Sequence, residues 1–318
     1  MTVTKRKKVL YHQTPLSVAA NKLIAFVTCR LFPALSGDDS QLARALSAAG
    51  YTVEATPWDD EDIDWTRYRA VIIRSTWNYH LHPALFRTWL HRLKKMRLPV
   101  FNPVDILEWN MDKGYLEQLQ QQHVPLPPTQ FLDKDSHPDL DSIFRTTGWR
   151  RAVIKPCISA TAYNTWVTGP DTAIADNPRL HELLRTDRFM IQEFMEEVES
   201  DGEYSLLFFG QQYSHAVKKT ARAGDFRVQE KYGGTSLPAR PGSDIIRQAT
   251  AILDKAVSLF DGSAPILYAR VDGVIRNGVF TLMELELVEP TLFFDQHPLA
   301  VEQFVYFFNS SLTAASIC

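Results

Sequence analysis

The fold is decided by residues 268–294, which read YARVDGVIRNGVFTLMELELVEPTLFF. Apolar and polar residues alternate on both sides of Asn277-Gly278, and this pattern predicts a hairpin of two strands. The alternation puts charged side chains on one face of each strand: Arg270 and Asp272 on the first, Glu284 and Glu286 on the second. Buried carboxylates are costly unless they share a cation, and oxygen ligands at this density suit Mg²⁺. A solvated polar face is the alternative interpretation, since antiparallel sheets commonly expose one face.

The connection between the two strands decides whether these carboxylates meet. A two-residue loop at Asn277-Gly278 would point Asp272 and Glu284 to opposite faces, because a slip of one residue flips every side chain. A three-residue loop over residues 276–278, with its glycine left-handed in a G1 bulge, would keep them on one face. Asp272 would then lie opposite Leu282. We therefore expect the three-residue loop.

Length and composition limit the classes of protein to which the chain can belong. Its 318 residues are 45% hydrophobic, which is enough for a large core and two or three domains. The net charge of −3 and the lack of a basic stripe predict no nucleic-acid partner. No apolar run reaches the roughly 20 residues that span a bilayer, so we expect no membrane association. Three widely spaced cysteines without a CxxC motif fit a reducing compartment, which favours the cytoplasm.

The first 20 residues are predicted to be a mobile extension. They include the basic run Lys5-Arg6-Lys7-Lys8, and the apolar segment 23–29 that follows could imitate a signal peptide. Arg30 interrupts that segment and no small-residue cleavage site follows, so residues 23–29 are predicted to be the first core strand. After the extension (1–20) we expect three units, at residues 21–110, 111–190 and 191–318.

Residues 21–110 are predicted to form a parallel α/β domain, because short apolar runs alternate there with helical patterns. The predicted strands are Leu23–Cys29, Tyr51–Thr56, Arg69–Ser75 and Pro99–Phe101, and the predicted helices are Asp39–Ala49 and Pro83–Lys95. Parallel sheets bind ligands beyond the carboxyl ends of their strands, which makes the loops at 36–39 and 74–80 candidate binding loops. The second loop supplies five tentative substrate-binding residues: Arg74, Ser75, Thr76, Trp77 and Asn78.

The two later units are predicted to be α+β. The first has a helix from Lys113 to about Gln122, strands at Thr129–Leu132 and Arg151–Lys155, and helices at Pro138–Thr147 and Arg179–Leu184. The second follows a buried strand at Phe189–Phe194. It contains a hairpin (Glu203–Phe209 and Gln212–Lys218), a loop from Lys219 to Pro241, a helix at Asp244–Phe260, the hairpin of residues 268–294 and a final helix at Pro298–Leu312.

Several motifs together carry a family resemblance. The chain lacks the GxGxxG, GxxxxGK[ST], HExxH and GxSxG motifs. It carries instead RVD at 270–272, MELELVEPT at 283–291, STWNY at 75–79, WNMDKGYL at 109–116, SHAV at 214–217 and LVEPTLFF at 287–294. Over residues 100–295 the sequence resembles the ATP-grasp ligases. Within that superfamily it is similar to the glutathione-synthetase-like branch, and to bacterial proteins that include the O-ureido-D-serine cyclo-ligases of D-cycloserine biosynthesis.

The resemblance implies an ATP-grasp fold, in which a parallel N-terminal domain is followed by two α+β units that enclose ATP. It implies that eight residues bind the nucleotide: Lys113 and Lys155 at the phosphates, Ser159 in the loop over them, Gln192, Glu193 and Phe194 through their backbone at the adenine edge, Glu203 at the ribose, and Lys218 in a mobile lid. The loop at 159–165 departs from the family pattern, because the usual glycines are missing.

The same resemblance implies catalytic and metal-binding residues. Arg270 is expected to steady the tetrahedral intermediate, and Arg227 is expected to act from the lid segment. Asp272, Glu284 and Glu286 are expected to bind Mg²⁺ or Mn²⁺ beside the ATP. Glu286 stands where many relatives have Asn, so it adds one negative charge to this site.

The implied activity is ATP-dependent formation of a C–N bond on a small amino-acid-like carboxylate, through an acyl phosphate, either between two molecules or as an intramolecular cyclo-ligase. A kinase that phosphorylates a small hydroxyl substrate is one alternative. The ligase and the kinase would be distinguished by whether ADP release requires an amine. A nucleotide-binding regulatory protein without catalysis is the other alternative. The expected partner is a small molecule, and a homodimer is the commonest assembly for such a chain.

Overall fold

A computed structural model describes residues 21–222, 225, 227–228, 230–260 and 265–315. The predicted extension at 1–20 lies outside the described residues. Within the described part of the chain, no helix has the length and apolar character needed to cross a membrane.

The N-terminal sheet is parallel, as predicted. Its strands β1 (Leu23–Thr28), β2 (Thr52–Pro57), β3 (Ala70–Ile73) and β4 (Val100–Phe101) lie in the order β2-β1-β3-β4. Helices α1 (Gly37–Ala48) and α2 (Pro83–Lys95) connect them, and Pro83 occupies the first position of α2, where a missing N–H costs nothing. Strand β3 is buried along its whole length, which explains its continuous apolar sequence.

The central part of the chain forms a separate four-stranded sheet. Helices α3 (Val104–Asn110) and α4 (Tyr115–Gln121) precede it, and its strands β5 (Thr129–Leu132), β6 (Ala152–Pro156), β7 (Trp166–Thr168) and β8 (Phe189–Glu193) lie in the order β5-β8-β6-β7. Helices α5 (Leu140–Thr147) and α6 (Ala173–Leu184) cover it. The prediction missed α3 and β7, and α6 begins earlier than predicted, with Pro178 inside it.

The third sheet has five antiparallel strands in the order β11-β10-β9-β12-β13. They are β9 (Glu203–Phe209), β10 (Gln212–Thr220), β11 (Thr235–Ala239), β12 (Tyr268–Arg276) and β13 (Val279–Glu286), with helices α7 (Glu197–Ser200), α8 (Ser243–Ser258) and α9 (Ala300–Ala315). Strand β11 corrects the prediction of a loop throughout Lys219 to Pro241. The division into three units stays a prediction, and β8 straddles its second boundary.

The hairpin of β12 and β13 turns in two residues, so the predicted three-residue loop is wrong. Arg276 pairs with Val279, and Asn277 and Gly278 are both left-handed, with φ of 53° and 80°. The ladder then shifts by one residue within β13, because Gly273 pairs with Leu282 whereas Asp272 pairs with Glu284.

Met283 is therefore the extra residue of a β-bulge. The bulge supplies the one-residue shift in register that the sequence analysis had assigned to a three-residue turn. It pairs Asp272 with Glu284 and Arg270 with Glu286, which confirms that the four charged side chains share one face.

Gly273 makes this bulge possible. A Cβ atom added at Gly273 would lie 2.5 Å from the Phe280 ring and 2.5 Å from the carbonyl oxygen of Thr281. Phe280 is fully buried in the core, so its ring cannot move aside without opening a cavity. Gly273 thus couples core packing on one side of the sheet to the register of the acidic residues.

A second bulge sets the register of β10. Tyr213 pairs with Phe208, but His215 pairs with Leu207, so Ser214 is the extra residue. As a result Lys219, rather than Lys218, lies opposite Glu203.

The N-terminal and third sheets are joined through buried hydrogen bonds. The Tyr268 hydroxyl lies 2.7 Å from the carbonyl oxygen of Ile73 and 3.0 Å from that of Val288. The Asn102 amide donates to the carbonyl oxygens of Tyr268 and Leu287 at 2.9 and 2.8 Å. Residues of both sheets also share one hydrophobic core.

Replacing Gly273 by alanine is expected to lower the free energy of unfolding by about 2 kcal/mol, because a new methyl group must displace Phe280 or the Thr281 carbonyl. Chemical denaturation measures the effect. Gly242→Ala is the matched control: Gly242 precedes α8, a Cβ atom added there would meet no atom within 4 Å, and the variant should lose only a few tenths of a kcal/mol. Equal losses for the two variants would contradict the role given to Gly273.

Candidate active site

The main cavity, of about 640 Å³, lies where the three sheets meet. That volume is in the range of small-molecule and cofactor sites. Many residues singled out from the sequence line it: Arg74, Trp77, Lys113, Lys155, Ser159, Gln192, Phe194, Glu203, Arg227, Arg270, Asp272, Glu284 and Glu286. The cavity therefore brings together residues that lie far apart in the sequence.

Asp272 is the buried centre of the charged face. It accepts hydrogen bonds from Arg270 Nε at 3.0 Å, Lys219 Nζ at 3.0 Å and Ser205 Oγ at 2.6 Å. Burial alone would raise the pKa of Asp272, but Arg270 and then Lys219 hold that pKa at about 2. Asp272 is therefore ionised at neutral pH.

Lys113 and Lys155 reach the cavity from either side of Glu284. Lys113 Nζ lies 3.1 Å from Glu284 Oε1 and donates to the carbonyl oxygen of Ser159 at 3.0 Å. Burial opposes the charge of Lys113, yet Glu284 leaves its pKa raised. Lys155 has no hydrogen bond or ion pair through its side chain among the described residues, and burial lowers its pKa.

Glu286 and Glu289 are the cavity carboxyls whose pKa values are raised furthest toward neutral pH and above. Glu286 forms an ion pair with Arg270, but burial raises the pKa of Glu286 to about 7. Glu289, which lines the same cavity, makes no side-chain hydrogen bond or ion pair within the described residues. Burial, and then the charge of Glu286, raise the pKa of Glu289 to about 8. At neutral pH Glu286 is therefore partly protonated and Glu289 mostly protonated, because the cavity holds more acidic side chains than its cationic neighbours balance.

Oxygen donors and excess negative charge fit a divalent cation such as Mg²⁺. As the side chains stand, no group of three His, Cys, Asp or Glu residues in the described ranges is arranged to hold a metal ion. Asp272, Glu284 and Glu286 turn instead toward Arg270, Lys219 and Lys113. The chemistry of the predicted ligands fits a metal, whereas their present orientation serves ion pairs.

The end of the cavity nearest β8 is largely apolar. Phe194, Met195, Val198 and Val228 line it, together with Gln192. Gln192 is buried, and its amide donates to Thr129 Oγ1 at 2.9 Å. Such a slot suits a flat, weakly polar ring.

Glu203 lines the cavity, and its carboxylate lies 2.5 Å from Lys219 Nζ. Burial raises the pKa of Glu203, although Lys219 opposes the shift.

Two of the residues predicted to bind the nucleotide, Lys218 and Glu193, do not line the cavity, and Glu193 was expected to act through its backbone. Lys218 Nζ donates to Asp201 Oδ1 at 2.5 Å on the other face of the sheet, because the Ser214 bulge gives the inward position to Lys219. Glu193 is half-buried and faces Arg276, with 3.8 Å between Oε2 and Nη1. The prediction missed Lys219 by one residue, since nothing in the pattern of β10 reveals the bulge.

Three of the five predicted substrate-binding residues have side chains that are buried in the protein and do not line the cavity. Ser75 Oγ donates to Asp39 Oδ2 at 2.6 Å. Asn78 donates to Asp59 Oδ2 at 2.8 Å and accepts from Trp58 Nε1 at 2.8 Å. Thr76 is fully buried. Only Arg74 and Trp77 of the five line the cavity.

Arg74 and Asp38 fix the chain just after β13. Arg74 Nε donates to Asp39 Oδ1 at 2.6 Å, and Arg74 Nη2 donates to the carbonyl oxygen of Pro290 at 3.0 Å. Asp38 accepts from the backbone N–H groups of residues 292, 293 and 294 at 2.9, 2.8 and 3.1 Å. Asp38 and Asp39 belong to the loop 36–39 that the parallel sheet predicted as a binding loop, but no residue within that loop was singled out.

Tyr79, Asn110, Lys219 and Glu289 also line the cavity and were not predicted as site residues. A signal existed for three of them: Glu289, Tyr79 and Asn110 lie inside the quoted motifs LVEPTLFF, STWNY and WNMDKGYL. A carboxylate or hydroxyl in a family motif beside the metal-type acids could have been predicted to belong to the site.

The segment containing Arg227 meets the 159–165 loop over the cavity. Arg227 pairs with Asp225 at 2.7 Å and lies 3.8 Å from the centre of the Tyr232 ring. The Tyr232 hydroxyl donates to the carbonyl oxygen of Thr161 at 3.3 Å. In the loop itself Thr161, Ala162 and Asn164 take the left-handed φ that glycine adopts more readily.

Lys219→Met is expected to lower the free energy of unfolding by about 3 kcal/mol, because it leaves Asp272 and Glu203 buried without this partner. Lys218→Met is the matched control and should cost at most about 1 kcal/mol, since its ion pair with Asp201 is partly exposed. Urea denaturation of both variants measures the difference. A larger loss for Lys218→Met would show that β10 has the register without the bulge.

Comparison with known proteins supports the family seen in the motifs. Residues 24–102 match the family model of the D-cycloserine synthetase DcsG N-terminal domain. The chain is 28% identical over 285 residues to the cycloserine biosynthesis protein DcsG of Streptomyces lavendulae, and the match covers 85% of this chain and 92% of that protein.

Solved structures give the same result for the fold. The crystal structure of D-cycloserine synthetase DcsG superposes with a TM-score of 0.81 at 25% identity, covering 91% of this chain and 99% of that one. D-alanine–D-alanine ligase from Bacillus anthracis, complexed with ATP, superposes with a TM-score of 0.66 at 13% identity, covering 93% and 99%. In sequence and fold the chain is thus similar to ATP-grasp ligases, and these findings identify it as an ATP-dependent C–N ligase.

Proposed function

We propose that this ATP-dependent C–N ligase closes a ring within a small amino-acid derivative, through an acyl phosphate. The observation that carries the proposal is the buried row formed by Arg270, Asp272, Glu284 and Glu286, which faces one cavity. The similarity to a D-cycloserine synthetase along most of the chain supports the substrate class.

ATP would lie between the central and third sheets. The apolar slot at Phe194, Met195 and Val198 suits the adenine, with Gln192 at its edge. Lys155 has no partner among the described residues and is available to a phosphate, and Lys113 and Ser159 stand beside it at the cavity wall. Glu203 would accept hydrogen bonds from the ribose.

Asp272, Glu284 and Glu286 would hold Mg²⁺, or Mn²⁺, which would neutralise charge on the transferring phosphoryl group. The chain's own contribution is to keep two of these carboxylates, Asp272 and Glu284, ionised before the cation arrives. Arg270 and Lys219 do so for Asp272, and Lys113 does so for Glu284, whose pKa burial would otherwise raise.

Arg270 is placed to stabilise the oxyanion that forms when nitrogen attacks the acyl phosphate. Burial of its guanidinium would lower the pKa of Arg270, but the charges of Asp272 and then Glu286 raise that pKa above its usual value, so Arg270 stays charged throughout. The Nη1 atom of Arg270 also donates to the carbonyl oxygen of Thr291 at 3.2 Å, which limits its movement. Arg227 lies in the segment predicted to be a lid. It would add a positive charge beside the reacting groups when that segment closes.

The substrate would lie between the N-terminal loops and the chain after β13. Ser36, Gly37, Trp77, Thr291 and Gln296 line that part of the cavity. These groups are small or polar, apart from the Trp77 ring, which suits a compact polar molecule rather than a peptide.

The purified protein is expected to release ADP and phosphate from ATP and Mg²⁺ when O-ureido-D-serine is supplied. The ring nitrogen bonds to the carboxyl carbon as the phosphate leaves, and hydrolysis of its carbamoyl group to carbon dioxide and ammonia gives D-cycloserine. Coupled ADP detection and mass spectrometry measure both. D-Serine and D-alanine are the comparison substrates, and EDTA should abolish turnover. Release of a phosphorylated hydroxyl product would favour a kinase, and lack of ADP with every amino acid in a broad panel would contradict the proposal.

Arg270→Lys is expected to lower kcat by about 100-fold, the typical loss for an oxyanion donor, while the KM for ATP changes little. Lysine keeps the charge beside Asp272 but loses the forked geometry. Arg276→Lys is the control on the same strand, because Arg276 pairs with Glu197 away from the cavity. A large rise in the KM for ATP instead would place Arg270 in nucleotide binding.

A further inference from the structure

The carboxylates around the cavity differ in their pairing. Five of them contact a cation: Asp39, Glu203, Asp272, Glu284 and Glu286. Asp38 accepts three backbone N–H groups. Glu289 alone among the described cavity-lining acids with buried or half-buried side chains has neither a hydrogen bond nor an ion pair.

The backbone around Glu289 is held in place. Pro290 accepts from Arg74 at 3.0 Å, Thr291 accepts from Arg270 at 3.2 Å, and the next three N–H groups donate to Asp38. Glu289 itself is half-buried and lines the cavity. Its carboxylate is therefore kept near the reacting groups, although the described part of the protein supplies it with no partner.

Tyr79 lines the same cavity as Glu289. Its ring is 5% exposed and packs on Phe86, and its side chain lines the cavity. No hydrogen bond of its hydroxyl occurs within the described residues. A carboxylate and a hydroxyl, both without partners in the described ranges, thus belong to side chains that line one cavity.

We propose that Glu289 binds the ammonium group of the substrate, with the Tyr79 hydroxyl as a second acceptor. This inference rests on the proposed function and adds that the substrate must carry a free, protonated amino group beside the reacting carboxylate. A carboxylate in a half-buried site is costly without a cation, and a substrate ammonium supplies the missing charge. Neutral and N-acylated analogues are therefore excluded, because they leave Glu289 unpaired.

Steady-state kinetics with O-ureido-D-serine and ATP test the proposal. Glu289→Gln should raise the KM for the amino acid by about 10- to 100-fold, the usual cost of losing a charged hydrogen bond, with a smaller change in kcat and none in the KM for ATP. Glu289→Asp should restore part of the affinity, and Tyr79→Phe should raise the same KM by a smaller factor. N-acetyl-O-ureido-D-serine should not be turned over by the wild type.

Glu302→Gln is the matched control, since Glu302 is exposed on α9 and away from the cavity. A fall in kcat of about 100-fold or more with an unchanged KM would make Glu289 a proton acceptor instead. A loss of Mg²⁺-dependent ATP binding would make it a metal ligand, and turnover of the N-acetyl analogue at the normal rate would also overturn the proposal.

The test separates this inference from the proposed function. If the wild type releases no ADP, the proposed reaction fails. The role of Glu289 is then judged by calorimetric binding of O-ureido-D-serine, D-serine and D-alanine to the enzyme with ATP. Binding that Glu289→Gln weakens would support the ammonium site, whereas equal binding by both proteins, or by neither, would refute it.

Discussion

The active face depends on the strict alternation of side chains across the third sheet. Odd and even positions of β12 alternate between the charged cavity and the hydrophobic core, where Val271 and Ala269 pack. A slip of one residue in any strand would push carboxylates into that core and apolar side chains into the cavity. Each error would bury an unpaired charge, so the register is fixed energetically as well as by hydrogen bonds.

The two β-bulges shift this alternation by one residue. Without them, the two-residue turns would point the charged side chains away from the cavity. One bulge, at Met283, brings Glu284 and Glu286 beside Asp272 and Arg270, and the other, at Ser214, brings in Lys219. Cation and anion then meet in a connected row. A buried ionic row contributes little net stability, because desolvation offsets the Coulomb attraction. Its retention fits a site that must hold charged phosphates.

Much of the fold could be predicted because its signals are local. The helix Pro83–Lys95 has the predicted bounds, since a proline start and a strong apolar face mark it. The shared face of the acidic residues followed from alternation and was confirmed. The bulge that produces it could not be predicted, because it depends on how Phe280 packs against Gly273 across the hairpin. The same limit explains Lys218 and Lys219, and the inward-turned side chains of Ser75 and Asn78 depend on partners that are distant in sequence.

The distribution of hydrophobic cores ties the substrate loops to the acidic row more directly than to the nucleotide slot. Strands of the N-terminal and third sheets share one core and are joined by Asn102 and Tyr268. The central sheet has a core of its own, although Met190 and Phe131 also pack with apolar residues of the third sheet. Shared packing therefore holds the substrate loops and the acidic row in one mutual geometry, whereas the nucleotide slot is built partly on a sheet with a different core.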